Sequence, residues 1–446
     1  MDLDLYLAGR HVAHTEPVSR GAKVRIVFEE WVDAEYPAET VLLSCSMRTG
    51  SRSEPAATQA FLEGLLPEGQ ALQTMAAGLS GVSLDGDAPR HPYDAVNLLA
   101  AYGRECAGAV TAVPRGDPAP GTDAAYEALD EEGAAGLLRG LPTRPLGADL
   151  GRDIRMSLAG AQPKLLLALL DGYWHDPVRG AASTHILKPT GRWASSADNE
   201  CIVMTLARQV GLTQSPVWVE SFGELRAFVA ARFDRVSDGA HVSRLHQEDL
   251  AQATTVRPRD KYQFGPLSGR ARLLIRDAST DPARDIRELF RQLTFRAIVG
   301  DEDGHAKNYG FMLNDGTVSL APLYDSLTTL AYGELTGVMG TPVGRQSHLG
   351  KVDLEALTDE GRGFRMHETE ARAIVESLAV QMVDVVDQLD PDLADPRVMD
   401  VITTIIRTRA RRLLDGEPMG GVDRRLLLDP RRRVASGTLD QISRVE

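Results

Sequence analysis

The 446-residue chain has little cysteine, no long apolar run and no excess of positive charge. Its three cysteines, Cys45, Cys106 and Cys201, include no CxxC pair. That excludes a zinc knuckle or a dithiol redox centre and suits a reducing compartment, with the thiols as small core residues. No apolar stretch reaches the roughly 20 residues that a helix needs to span a bilayer. The acidic start Met1-Asp2-Leu3-Asp4-Leu5 lacks the basic region of a secretion signal. A cytoplasmic location with no membrane role is the expectation. With 49 basic against 63 acidic residues the net charge is −14, which opposes non-specific binding to nucleic acid and leaves Arg431-Arg432-Arg433 as a local basic cluster. No internal repeat or low-complexity tract is present.

What the sequence does contain is material for two or three domains. Val24–Phe28 alternates like a half-buried strand, Phe61 to Glu68 is a short apolar element stopped by Pro67, and Ala95 to Tyr102 predicts a short helix with Gly103 as its C-terminal stop. Pro114, Gly116, Pro118, Pro120 and Gly121 have loop composition, placing a domain boundary between there and Asp153. The pattern then changes. Leu165–Leu170 runs into Asp171-Gly172, a hairpin signal, and Thr184–Pro189 is the next strand. Asn199–Arg208 predicts a helix capped by Asp198 or Asn199 and stopped by Gly211. Ile286, Leu289, Phe290, Leu293 and Ala297 share one helical face that ends at Gly300, and Ile374, Leu378, Met382 and Val386 share another, beside Val375 and Leu389.

The chemistry concentrates in Gly300-Asp-Glu-Asp303-Gly-His305-Ala-Lys307-Asn308 and Leu320-Ala-Pro-Leu-Tyr324-Asp325. Asp303 stands five residues before Asn308, and Asp325 follows seventeen residues later on an expected strand. Kinases use this spacing to set a base, a metal-binding amide and a metal-binding carboxylate around a γ-phosphate. Magnesium takes hard oxygen ligands and few protein groups, so Asn308 and Asp325 suffice. Lys188, in Ile-Leu-Lys-Pro, is the strand lysine expected to neutralise ATP phosphates, and Glu200 on the following helix is its expected partner. Ser157-Leu-Ala159-Gly160-Ala161-Gln162-Pro163-Lys164 is rich in small residues that let backbone N–H groups approach phosphate, although it matches neither a Walker loop nor GxGxxG.

Together with Arg232-Phe-Asp-Arg235, His246-Gln-Glu-Asp249, Asn97-Leu-Leu99 and Gly103–Val110, these segments resemble the HipA family, serine/threonine kinase toxins of bacterial toxin–antitoxin pairs. The resemblance covers about residues 1 to 415. It implies an α+β, two-lobed protein-kinase-like fold: an N-terminal α+β domain over 1–145, a kinase domain over 150–420 and a tail over 421–446, expected to be partly disordered. The small lobe is expected at about 150–240 and the α-rich large lobe at about 241–420. It implies Asp303 as catalytic base and Asn308 and Asp325 as Mg2+ ligands. Ala159, Gly160, Ala161, Gln162, Lys164 and Lys188 are implied around the ATP phosphates, with His305, Lys307 and Tyr324 nearby. Ala231, Arg232 and Phe233 are implied as an adenine-binding hinge, and Ser157 as an autophosphorylated serine. Family targets are translation-related proteins, glutamyl-tRNA synthetase among them. The implied partner is a HipB-like helix-turn-helix antitoxin, through which alone DNA is met. Pro163 departs from the pattern by lacking an N–H. Two other readings stay open: a small-molecule kinase of aminoglycoside or choline type, disfavoured because His305 follows Asp303 instead of preceding it, and a non-catalytic co-repressor.

Overall fold

The computed structural model describes residues 2–18, 23–80, 94–191, 193, 195–239, 241–333 and 335–428. The basic cluster at Arg431 and most of the tail, from residue 429 onward, lie outside the described residues. The chain forms two compact units. One holds Met1–Pro189, Ser221–Pro258 and Phe311–Ser319; the other holds Thr190–Glu220, Arg259–Gly310 and Leu320–Glu446. Among the described residues no helix is long and apolar enough to cross a membrane.

The first unit begins with a four-stranded antiparallel sheet in the order Val24–Phe28, Arg10–Pro17, Leu3–Leu7, Val110–Pro114. Leu3, Leu5, Ile26, Phe28, Phe61, Leu62 and Leu99 form its core with the helices Pro55–Gly64 and Ala95–Tyr102. The second helix starts where Asp94 accepts the Val96 N–H at 3.0 Å. It stops at Gly103 for a reason different from the expected one. Gly103 is not left-handed; a Cβ there would lie 2.5 Å from the Leu99 carbonyl oxygen and 2.8 Å from that of Ala112.

A second antiparallel sheet carries the strands Leu225–Ala231, His185–Pro189, Leu165–Leu170, Tyr173–Val178 and Ala125–Ala128, adjacent in that order. Leu165, Leu166, Leu167 and Ala168 are all buried, which is why this strand reads as an unbroken apolar run. Asp171 and Gly172 make the two-residue turn, both at positive φ (51° and 82°), and Leu170 pairs with Tyr173.

The second unit is mainly helical. The helix Pro282–Val299 has proline in its first turn, and Asp281 accepts the Arg284 N–H at 3.1 Å. It ends at left-handed Gly300, φ 75°. Its buried face is Leu289, Phe290, Leu293, Ala297 and Ile298, but Ile286 is only half-buried. Asp285 is buried beside it and accepts from Leu320 N–H (2.9 Å) and Ser279 Oγ (2.6 Å). The helix Glu368–Val386 buries Val375, Leu378, Met382 and Val386, with Ile374 and Leu389 at its edge. It packs on Pro396–Leu414, whose fully buried Arg409 donates to the Ala297 and Ile298 carbonyls at 2.8 and 3.1 Å. Arg409 thereby satisfies orphan acceptors at the end of Pro282–Val299. The helix expected to be capped by Asp198 or Asn199 instead begins at Ser196 and runs to Gln209. Both side chains serve other contacts: Asp198 accepts the Asp395 N–H at 3.0 Å, and Asn199 exchanges two hydrogen bonds with the Thr328 backbone.

Candidate active site

Helix Pro282–Val299 delivers the chain into a tight loop, and the loop is built around one arginine. Arg296, 2% exposed, pairs through Nη1 with Asp301 Oδ2 at 2.5 Å. The same guanidinium donates to the carbonyl oxygens of Asn308 (3.0 Å), Tyr324 (2.6 Å) and Asp325 (3.0 Å). One buried cation thus ties the backbone at Asn308 to that at Tyr324 and Asp325. Asp301 also accepts from Ser326 Oγ (2.8 Å) and from the Asp303 N–H (3.0 Å). Burial pushes its pKa up to about 6, while Arg296 and Ser326 pull the other way, so it is ionised at neutral pH.

The loop geometry orients both Asp303 and Asn308. The Asn308 amide nitrogen donates to the Asp303 carbonyl at 2.9 Å, which turns the amide oxygen the other way. The Asn308 N–H donates to the His305 carbonyl (2.9 Å) inside the short turn Ala306–Asn308. The Asp303 carboxyl keeps about half its surface, 48%, in contact with solvent. Its Oδ1 accepts from Tyr262 Oη at 2.8 Å, and His305 Nε2 lies 3.7 Å from the same oxygen. Loss of hydration raises the Asp303 pKa, the Tyr262 hydrogen bond lowers it, and the charge of Asp325 raises it again. Lys307 is buried, and its carbonyl accepts from Tyr324 Oη at 2.8 Å.

Asp325 does not sit on a strand, as the sequence suggested. The strand Thr317–Leu320 has already ended, and Asp325 lies in a loop at φ 53°. Aspartate tolerates this left-handed conformation better than most non-glycine residues. Asn308 and Asp325 offer a hard-oxygen pair, one amide and one carboxylate. No group of three or more histidine, cysteine or acidic side chains able to hold a metal occurs among the described residues. Magnesium does not need one, because it keeps waters and takes substrate phosphates as ligands. The donor chemistry fits it.

In the first unit, the small-residue segment has a defined shape. Gly160 has φ 113°, which favours glycine, and a Cβ there would lie 2.4 Å from Lys164 Nζ and displace that flexible side chain. Lys164 Nζ donates to the Ala159 carbonyl at 2.7 Å, while Ala161 is exposed and Gln162 is half-buried. Ser157 is fully buried: its Oγ donates to the Leu65 carbonyl at 2.7 Å and its N–H to the Glu105 carbonyl at 2.7 Å. Lys188 is buried on its strand opposite Phe228, with Nζ 5.8 Å from that ring. Ala231 pairs with His185, and Phe233 is half-buried. Arg232 was implied to meet adenine through its backbone. Its N–H donates to the Thr184 carbonyl at 2.9 Å, and its guanidinium is buried against Glu105 (3.1 Å) and Asp234 (2.8 Å).

That ionic cluster was not legible beforehand. Glu105, 1% exposed, accepts from Arg232, Arg235, Arg244 and Ser183. Burial opposes its charge, but the three guanidinium groups prevail and hold its pKa near 2. Arg296, Asp301 and Tyr262 were missed as well. Arg296 had one signal, a charge embedded in the apolar Phe295-Arg-Ala-Ile-Val299. Tyr262 had none.

Two family descriptions match the sequence: the HipA N-terminal domain over residues 3–113 and the HipA-like C-terminal domain over residues 156–386. The chain belongs to the HipA family. Y4mE of Sinorhizobium fredii, named provisionally as a kinase, is 35% identical over 375 residues, covering 80% of this HipA-family chain and 86% of that protein. The serine/threonine-protein kinase toxin HipA of Shewanella oneidensis is 28% identical over 286 residues, covering 61% and 63%. A solved complex of HipA, HipB and operator DNA from Shewanella oneidensis MR-1 matches with TM-score 0.74 at 20% identity, covering 93% of this chain and 100% of that chain. The chain therefore has the HipA fold, of mixed helix and strand and kinase-like, in a family whose named members include kinases.

Proposed function

We propose that this chain is an ATP- and Mg2+-dependent serine/threonine protein kinase that serves as the growth-inhibiting toxin of a toxin–antitoxin pair. The observation that carries the reading is the loop Asp301–Asn308. Arg296 fastens Asn308 and Asp325 to one buried cation, and Asn308 in turn fastens Asp303. In this reading Asp303 takes the proton of the attacking hydroxyl, whose oxygen bonds to the γ-phosphorus as the bond to ADP breaks. Asn308 Oδ1 and the Asp325 carboxylate hold magnesium, which when bound neutralises charge on the transferring phosphate. Lys188 and the segment Ala159–Lys164 hold phosphate oxygens, His305, Lys307 and Tyr324 shape the loop, and Ala231 and Phe233 meet adenine.

Ser157 is the proposed autophosphorylation site. Leu65, which accepts its hydroxyl, ends the helix Pro55–Gly64. A phosphoserine can neither donate that hydrogen bond nor rest its charge against the negative end of a helix, so modification expels the segment. The Shewanella relative is named a toxin, and its solved complex holds HipB and operator DNA. A HipB-like antitoxin is accordingly the proposed partner here, with a translation-related protein such as glutamyl-tRNA synthetase as substrate. Phosphoproteomics of cells expressing the parent chain or its Asp303→Ala variant tests the reading. Parent-specific phosphosites together with parent-specific growth arrest are expected. Equal arrest by both would remove catalysis from the function.

A further inference from the structure

Tyr262 belongs to none of the motifs above, yet it touches the proposed base. It sits in the short turn Pro258–Gln263 and is 46% exposed. Its hydroxyl donates to Asp303 Oδ1 at 2.8 Å. Its ring meets the His305 ring edge-on, with centroids 5.0 Å apart and planes at 79°. The neighbouring Lys261 is buried, with Nζ 5.1 Å from the Tyr262 ring centroid. An exposed tyrosine is ordinarily free to rotate. This one is held at three points, by an aromatic contact, a cation over its face and a hydrogen bond to a carboxylate.

We propose that Tyr262 is a positioning residue for phosphoryl transfer: its hydroxyl claims Oδ1 of Asp303, and so fixes the carboxyl group with Oδ2 as the oxygen that receives the substrate hydroxyl. This rests on the kinase reading given above. A carboxylate on a half-exposed side chain otherwise turns about its own axis, and general-base catalysis requires the accepting oxygen within about 2.6–3.2 Å of the proton it takes. The phenol removes one of two equivalent orientations and holds the plane of the other. Tyr262 does not take part in the bond changes. It determines how often Asp303 is aimed when a hydroxyl arrives, so its effect belongs in kcat and not in nucleotide binding.

The test is Tyr262→Phe, which keeps the ring packing on His305 and Lys261 and deletes only the donor. Phosphoryl transfer to a protein substrate, or to the chain itself, is followed beside direct Mg·ATP binding. The expected result is a fall in kcat of roughly ten- to a hundredfold, with the ATP dissociation constant and the melting temperature unchanged. Installing 3-fluorotyrosine at position 262, which retains a phenol donor, restores most of the rate. An unchanged kcat overturns the proposal. So does a raised kcat, which would make Tyr262 a plug that substrate must displace. A structural role alone would lower melting temperature and nucleotide binding together, and that pattern also overturns it. Failure of the kinase reading looks different: parent and Asp303→Asn would then transfer phosphate equally, or not at all.

Discussion

Replacing Arg296 with methionine is the sharpest structural perturbation of the loop Asp301–Asn308. The substitution keeps an unbranched stem of similar bulk and removes all four hydrogen bonds, to Asp301 Oδ2 and to the carbonyls of Asn308, Tyr324 and Asp325. Removing one partner of a buried ion pair costs about 3–5 kcal/mol, because the other charge stays behind. Stripped carbonyls add about 1 kcal/mol or more each where water does not reach them. The loss at pH 8 is therefore at least about 4 kcal/mol, a large fraction of the roughly 5–15 kcal/mol that stabilises a typical domain.

The effect also carries a pH signature. Asp301 already titrates near 6 with Arg296 present, above its ordinary 3.8. Without the guanidinium it rises further. The native variant then holds a proton that the unfolded chain has released, so its stability falls as pH rises from about 5 to 8, with a slope approaching 1.4 kcal/mol per pH unit. Urea denaturation followed by circular dichroism at pH 5.5 and pH 8 measures both quantities. Arg296→Met with Asp301→Asn should be more stable at pH 8 than Arg296→Met alone, because no uncompensated charge remains. A penalty below about 1 kcal/mol, or one independent of pH, would refute the account of Arg296 as the hub of the loop.

Other perturbations separate the parts. Gly160→Ala forces a side chain onto Lys164 Nζ at φ 113° and should weaken Mg·ATP binding by roughly tenfold, about 1.4 kcal/mol, as read by calorimetry. Glu105→Ala takes the shared carboxylate from Arg244, and leaves Arg232 and Arg235 with Asp234 alone; it should destabilise the first unit by about 3–5 kcal/mol in denaturant melts. His246 is buried and neutral, its pKa lowered from 6.5 to about 4 by burial. The unfolded chain takes up that proton first as pH falls, so up to about 3 kcal/mol is lost between pH 6.5 and 4. A His246→Gln variant should show a flatter acid limb in thermal melts over that range.

The strands and helices of this chain could be read from the sequence where one physical signal dominated. Leu165–Leu170 with Asp171-Gly172 gave a hairpin, because two adjacent residues tolerant of positive φ permit little else. Gly300 ended its helix in the expected left-handed turn. Gly103 and Asp198 stood where helix ends were expected but for reasons that only tertiary structure supplies, a close backbone approach in one case and a hydrogen bond to Asp395 in the other. Asp303, Asn308 and Asp325 were singled out by their spacing, and the fold brings them into one loop network. The groups that hold them were not, since Arg296, Asp301 and Tyr262 act through carbonyls and carboxylates brought near by the fold. Charge on an otherwise apolar helix face, as at Arg296, is the signal most worth heeding in such sequences.

In the proposed reaction, phosphate passes from ATP to a serine hydroxyl whose proton Asp303 takes. Dephosphorylated protein, supplied with magnesium and ATP labelled in its γ-phosphate, tests it most directly when parent, Asp303→Asn and Asp325→Asn are followed side by side. The account predicts labelled phosphoserine in the parent and a rate at least about a hundredfold lower in each variant. Transfer by Asp303→Asn at the parental rate would contradict it.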